Sequence, residues 1–259
     1  MGLATPLEVA DPQLDSLLGR VSPVLKFSIA LVWLLGLALT TSIAAALTLA
    51  VLALLSGRIL GAVPAAAMAR TLAPLGLAAL GIGLSNTVFA AANTDPASTE
   101  IAQIGPLRLT VEGLLGGLAL AARVVAIACV SAVVTLTTDS TRLADSLVQQ
   151  ARVSPRFAYG ALAAYQAIPR FSEDLSTLRQ ARRIRGLRGS WHPRLLVGLL
   201  VLAIRHGDRL ALGMDARGFG SGERSTYRPV RWGWRDAVVG LGAIAALWLA
   251  MTVGGLVGR

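Results

Sequence analysis

The sequence predicts an all-α integral membrane protein with about five transmembrane helices and, between the fourth and the fifth, long cytoplasmic helices. Its 259 residues are 54% hydrophobic and only 15% charged, whereas a soluble domain is typically about 25% charged. The formal net charge is nevertheless +10, and residues 137–236 contain 17 of the 24 basic but only 8 of the 14 acidic residues. An apolar chain with one basic segment is typical of a membrane protein with a cytoplasmic part.

Apolar stretches predict the transmembrane helices in chain order. From Val24 to Ser56 the only charged residue is Lys26, and this stretch is too long for one span of about 20 residues. Polar residues at 40–42 interrupt it, so two closely spaced helices are predicted. The predicted spans cover about 24–40, 43–58, 71–92, 111–136 and 237–257. The polar stretch 93–109 is predicted as a loop.

The positions of the basic residues predict the orientation in the membrane. Arg20 and Lys26 lie near the start of the first span, Arg58 and Arg70 lie between the second and third, and the basic segment follows the fourth. These sites fall on alternate loops, and an excess of Lys and Arg marks the cytoplasmic side. We therefore predict a multi-pass protein whose N-terminus is cytoplasmic.

The chain is predicted to have three parts: an N-terminal segment with four spans (1–136), a cytoplasmic helical region (137–234) and a last span (235–259). In the cytoplasmic region, apolar residues three or four apart predict a long helix over 155–187, broken or kinked at Pro169. A second helix is predicted over about 194–217. Its apolar opening of ten residues spans only about 15 Å, roughly half of the bilayer core. We expect it to pack on protein or in the membrane interface rather than to cross.

Both predicted cytoplasmic helices end in the same way. The first ends at Ile184-Arg185-Gly186 and the second at Ala216-Arg217-Gly218. An arginine in the last turn suits the negative end of the helix dipole, and a following glycine can adopt the left-handed conformation that closes a helix. Each site alone is explained by a simple C-cap. Because the pattern occurs twice, we also interpret the two guanidinium groups as binding carboxylates or carbonyls of partner proteins.

A few other residues are considered as candidates for a functional role. Arg123 lies within a span, where it is expected either to contact an acid or carbonyls inside the bundle or to extend toward the interface. His192 and His206 lack the spacing of a metal site, and Cys129 has no second cysteine to pair with. Glycine-rich stretches such as 113–117 are expected to allow close helix packing rather than ligand binding.

The sequence lacks the signatures of an enzyme. It contains no Gly-x-x-x-x-Gly-Lys-Ser/Thr phosphate-binding loop and no Gly-x-Ser-x-Gly or His-Glu-x-x-His pattern. We therefore predict no catalytic residue, no metal site and no cofactor bound by this chain. The arginines alternate with apolar helix faces instead of forming a patch with stacking aromatic residues, which disfavours nucleic-acid binding. The positive charge favours contact with anionic membrane lipids.

Together these features resemble the transmembrane T component of energy-coupling-factor (ECF) transporters, a subclass of ABC transporters. That family has an Ala-Arg-Gly motif at the end of each of two coupling helices, and Ile184 stands here in place of the first alanine. Three further segments are similar to the family: Pro23–Lys26, Thr110–Leu114 and Ile168–Phe171. The resemblance covers about 20–257 and is most specific at 214–220.

The resemblance implies a scaffold that joins a substrate-binding membrane subunit, the S component, to two cytoplasmic ABC-type ATPases. Arg185 and Arg217 would each engage one ATPase, and ATP-driven motion would tilt the S component. The implied function is uptake of a vitamin or a transition-metal ion across a bacterial or archaeal plasma membrane. The S component would dock on the apolar faces of the coupling helices, at Phe171, Leu175, Leu178, Leu199 and Leu202.

Two other functions stay open. A stand-alone secondary transporter needs an inverted repeat or broken midplane helices with polar residues, and five spans do not divide into equal halves. An intramembrane enzyme that acts on anionic lipid-like substrates needs an acid–base pair or metal-binding carboxylates, which the sequence does not offer.

Overall fold

The computed structural model describes residues 16–257, except 96, 105–106, 188–191, 221, 223–225 and 227. The chain divides into two compact units. The first, which we call the membrane unit, joins Met1–Asp139 to Arg231–Arg259. The second, which we call the central unit, is Ser140–Val230.

In the part of the membrane unit that the structure describes, one short helix is followed by five apolar ones: α1 (Leu17–Arg20), α2 (Pro23–Leu39), α3 (Ile43–Ile59), α4 (Ala65–Val88), α5 (Val111–Leu136) and α10 (Trp234–Val257). Helices α4, α5 and α10 are long and apolar enough to cross a bilayer. Helices α2 and α3 have 17 residues each, which is the lower limit for a span. These helices confirm the predicted all-α membrane fold.

Local sequence explains where the membrane helices begin. Pro23 lies in the first turn of α2, where its missing N–H leaves no hydrogen bond unmade. The hydroxyl of Ser42 accepts the N–H of Ala45 at 3.5 Å at the start of α3, and that of Thr110 accepts the N–H of Gly113 at 3.1 Å at the start of α5. Such N-caps satisfy backbone donors that a helix start leaves free.

The connection between α4 and α5 is more ordered than the predicted loop. It contains a 3₁₀ turn (Ala91–Thr94) and an antiparallel hairpin of β1 (Glu100–Ile104) and β2 (Leu107–Thr110). The amide of Asn93 is buried and donates to the carbonyl of Thr87 at 2.8 Å, while its oxygen accepts the hydroxyl of Thr110 at 2.8 Å. One buried side chain thus joins the end of α4 to the start of α5.

Helices α4 and α5 approach each other at glycines. A Cβ atom at Gly117 would lie 2.5 Å from the carbonyl oxygen of Gly83 and 2.0 Å from the hydroxyl of Thr87. The Thr87 hydroxyl donates to that same carbonyl at 2.9 Å. The backbones therefore meet where neither glycine has a side chain, which is the close packing that the glycine-rich sequence predicts.

The central unit has four helices in its described part: α6 (Ser140–Gln149), α7 (Pro155–Gln166), α8 (Ile168–Ile184) and α9 (Pro193–Ala216). The helix predicted over 155–187 is therefore broken. Pro169 cannot continue α7 because it has no N–H, but it is tolerated in the first turn of α8. Helix α6 lies outside every element that the sequence predicts.

Candidate functional site

The first arginine-bearing helix end is closed by two backbone hydrogen bonds. Arg185 is the C-cap of α8, and Gly186 has a φ of +71°. The N–H of Gly186 donates to the carbonyl of Arg183 at 3.0 Å, and the N–H of Leu187 donates to the carbonyl of Arg182 at 3.2 Å. This pair of bonds is a Schellman motif, which requires a left-handed residue and so favours glycine.

The second helix end has the same geometry. Arg217 is the C-cap of α9, and Gly218 has a φ of +65°. The N–H of Gly218 donates to the carbonyl of Asp215 at 2.9 Å, and the N–H of Phe219 donates to the carbonyl of Met214 at 2.9 Å. The predicted C-cap is thus present at both helix ends, with an exposed arginine at the same position of each.

The two ends differ in what surrounds them. Ile184, which replaces the alanine of the first motif, is 87% exposed. At the second end, the ring of Phe219 packs edge-on against Tyr159 of α7, with centroids 6.4 Å apart. The guanidinium of Arg156 donates to the carbonyl of Gly220 at 3.4 Å. The backbone after Arg217 is therefore held against α7. Among the described residues, no equivalent contacts are seen at the first helix end.

Tyr159 also connects the second end to α6. Its hydroxyl donates to the buried carboxylate of Asp145 at 2.8 Å. Burial, together with this hydrogen bond and the charge of Asp145, raises the pKa of Tyr159 to about 12. The hydroxyl therefore stays protonated and remains a donor at physiological pH. Asp145, Tyr159 and Phe219 form a chain of contacts, which we call the α6–α9 clamp.

Replacing Tyr159 by phenylalanine is expected to loosen the second helix end without removing the aromatic contact. A hydrogen bond to a charged group contributes about 1.5–3 kcal/mol, so exchange of the Gly218 and Phe219 amides with deuterium is expected to rise about tenfold. Tyr165→Phe is the matched control, because Tyr165 lies on the same helix and is 60% exposed. Equal deuterium-exchange rates of the Gly218 and Phe219 amides in the two variants would show that the α6–α9 clamp does not hold this helix end.

The five residues predicted to dock an S component, one phenylalanine and four leucines, are all half-buried: Phe171, Leu175, Leu178, Leu199 and Leu202. Leu178 lies so close to Gly198 that a Cβ there would be 3.3 Å from its side chain. Leu178 of α8 therefore packs against α9 at this glycine. Helix α9 also has a more exposed apolar face, whose residues recur at the spacing that places them on one side of a helix. They are Leu196, Val197, Leu200, Val201 and Ile204.

Arg123 contacts backbone within the bundle. Its Nη2 donates to the carbonyl of Thr40, the residue that ends α2. This contact agrees with one of the two alternatives that the sequence left open, a carbonyl partner inside the membrane unit. An intramembrane guanidinium is costly unless it is hydrogen-bonded, and here it satisfies a carbonyl that the helix end leaves free.

A second set of buried polar groups lies at the opposite helix ends. The ammonium of Lys26 donates to the carbonyl of Thr137 at 2.6 Å, where α5 ends. Asp236, in the first turn of α10, accepts the N–H of Ser22 at 2.8 Å and that of Gly233 at 2.7 Å. Lys26 lies in a segment that resembles the family, whereas nothing in the sequence around Asp236 indicates its role, because its partner Ser22 is far away in the chain.

His192 serves as a helix cap. Its Nδ1 accepts the N–H of Arg194 at 3.1 Å at the start of α9. Among the residues that the structure describes, no three His, Cys, Asp or Glu side chains come together as a metal site would require.

The chain is similar in sequence to known membrane transport proteins. The family model described as "CbiQ: Cobalt transport protein" matches residues 15–227. The "Energy-coupling factor transporter transmembrane protein EcfT" of Heliobacterium modesticaldum is 30% identical over 177 residues, 59% of this chain and 65% of that protein. The protein of the same name from Listeria innocua is 27% identical over 175 residues, which cover 58% of this chain and 65% of that protein. The one from Bacillus subtilis is 28% identical over 166 residues, which cover 57% of this chain and 63% of that protein. The matches thus span less than two thirds of these relatives' length.

Proposed function

The chain belongs to the CbiQ family of cobalt transport proteins, and from this premise we propose that it is the energy-coupling membrane scaffold of an ECF-type ABC importer. Family membership and the apolar helices make it a membrane-located transporter component. The observation that carries the proposal is the pair of identical arginine C-caps, 32 residues apart, at the ends of α8 and α9.

In this proposal, Arg185 and Arg217 each bind one of two cytoplasmic ABC-type ATPases, within the motifs Ile184–Gly186 and Ala216–Gly218. The Schellman bonds fix the backbone that carries each arginine, so little backbone entropy is lost when the guanidinium meets a carboxylate or carbonyl. ATP is hydrolysed by the partner subunits, and this chain binds no cofactor of its own. Residues 137–234 act as the coupling region.

The S component is proposed to dock on the apolar surface of α8 and α9. Leu196, Leu200 and Ile204 are each more than half exposed, and such a contiguous apolar face marks an interaction surface. The five half-buried residues predicted from the sequence are proposed to contribute to the same surface. The transported substrate, a vitamin or a transition-metal ion, is proposed to bind the S component.

The experiment that tests the proposal is purification of the tagged full-length chain from its native membrane. Co-purification of two ABC-type ATPases and a small membrane subunit is expected. A chain that purifies without ATPases yet transports a solute in proteoliposomes would instead be a secondary transporter, and the proposal would be wrong.

The proposed orientation, with a cytoplasmic N-terminus, predicts a labelling pattern. A cysteine replacing Ala97, which is exposed in the α4–α5 connection, is expected to react with a membrane-impermeant maleimide on intact cells. A cysteine replacing Ser172, which is exposed on α8, is expected to react only after permeabilisation. The native Cys129 is buried and gives little background. The reverse pattern would overturn the orientation.

A further inference from the structure

The membrane unit contains an apolar cavity of about 540 Å³ between helices α2, α3, α5 and α10. Leu55 and Ile59 of α3 and Val238 of α10 line the cavity and are also exposed on the surface of the unit. The cavity therefore opens between α3 and α10, on a surface that faces hydrocarbon in a membrane.

The cavity extends inward from one end of the bundle. The residues of α10 that line it run from Trp234 to Ala246, and twelve residues of a helix rise about 18 Å. This distance is slightly more than half of the hydrocarbon core, which is about 30 Å thick. The dimensions match one leaflet, so an acyl chain that enters at the helix ends reaches the bottom of the cavity.

The half-buried side chain of Arg235 lies in the cavity wall. The Nε of Arg235 is buried and has no hydrogen-bond partner among the described residues. Its guanidinium carbon is 5.8 Å from the centre of the Trp234 ring. The neighbouring carboxylate of Asp236 is engaged by the N–H groups of Ser22 and Gly233, and the ammonium of Lys26 donates to Thr137. Because the Arg235 side chain is only half-buried, the terminal nitrogens of its guanidinium are the donors that an anionic oxygen at this site would meet.

We propose that the cavity binds one acyl chain of an anionic phospholipid, whose phosphate accepts hydrogen bonds from Arg235. Apolar walls that open toward hydrocarbon favour a lipid chain over water. The guanidinium selects a negatively charged headgroup, because the N–H donors of arginine match phosphate oxygens. The mouth lies at the end of the membrane unit where Lys26, Arg58 and Arg235 are found, and under the proposed orientation this is the cytoplasmic leaflet, which is rich in anionic lipids.

The test uses the full-length chain in detergent and native mass spectrometry. The probes are phosphatidylglycerol and phosphatidylcholine with identical acyl chains. Gly242→Leu fills the cavity, because Gly242 lines it and a Cβ there meets no atom within 4 Å. Gly255→Leu is the matched control, since it lies on the same helix, also has open space, and does not line the cavity. Arg235→Gln removes the charge, and Arg231→Gln, at an exposed site, is its control.

The wild-type chain is expected to retain phosphatidylglycerol in preference to phosphatidylcholine. Arg235→Gln is expected to weaken phosphatidylglycerol binding about tenfold and to abolish the preference. Gly242→Leu is expected to lower retention of both lipids, and both controls are expected to behave as wild type. Equal retention of the two lipids by the wild-type chain, or equal retention by Gly242→Leu and Gly255→Leu, would overturn the proposal. Loss of a co-purified membrane subunit from Gly242→Leu with lipid retention unchanged would instead assign the cavity to a protein partner.

Discussion

Replacing both Arg185 and Arg217 by glutamate is expected to abolish co-purification of the ATPases with this chain and to abolish ATP-dependent uptake. Each substitution reverses the charge and puts a carboxylate where the proposed partner surface binds a guanidinium. Removing one member of a buried, hydrogen-bonded charge pair costs about 2–5 kcal/mol, so each single variant is expected to weaken association by at least about 30-fold. The two losses combine in the double variant, because the arginines are proposed to bind separate subunits.

The control is a double variant with the same change in net charge. Arg179 and Arg209 are exposed on α8 and α9 but lie before the helix ends. Arg179→Glu combined with Arg209→Glu is expected to leave association nearly unchanged. If this control also abolishes assembly, the effect is one of overall charge. If the double variant of Arg185 and Arg217 still co-purifies both ATPases and supports uptake, the coupling role is wrong.

Gly117→Ala is expected to give a large loss of stability in the membrane unit. The added Cβ would lie 2.5 Å from the backbone oxygen of Gly83, and a backbone atom cannot move aside as a side chain does. Overpacking of this kind typically costs about 1–3 kcal/mol. The cost works against the usual gain of about 1 kcal/mol from replacing a helical glycine by alanine. Thermal unfolding of the full chain in detergent measures the difference.

Gly116→Ala is the matched control for this substitution. A Cβ at Gly116 would lie 3.7 Å from the side-chain oxygen of Asn86, which is an ordinary van der Waals contact. This variant is expected to unfold at the wild-type temperature or slightly above it. Equal unfolding temperatures for Gly116→Ala and Gly117→Ala would show that α4 and α5 do not meet at these glycines.

Features that depend on local sequence were predictable. Runs of apolar residues predicted the membrane helices, and the Arg-Gly pairs predicted two capped helix ends, because a left-handed glycine after the last turn is a local requirement. Pro169 predicted the break between α7 and α8, because a proline has no N–H to continue a helix, which is also a local property. The role of Arg185 and Arg217 in binding partners is still a prediction, since partner surfaces lie outside the chain.

Features that depend on distant residues were not predictable in detail. Arg123 is separated from Thr40 by 83 positions and Lys26 from Thr137 by 111, and nothing in either neighbourhood indicates the pairing. The hairpin before α5 was missed because its strands have only five and four residues, too few for alternation to stand out from a polar loop. The α6–α9 clamp likewise joins residues that only the fold brings together.

The buried contacts of residues 22–26 have a mechanical consequence. The chain passes between the two units twice, after Asp139 and after Val230. Lys26 binds Thr137 just before the first crossing, and the backbone of Ser22 binds Asp236 just after the second. The start of α2 is therefore hydrogen-bonded next to both crossings. Helices α5 and α10 therefore cannot be displaced independently at these ends without breaking a buried hydrogen bond to a charged group, at a cost of about 1.5–3 kcal/mol.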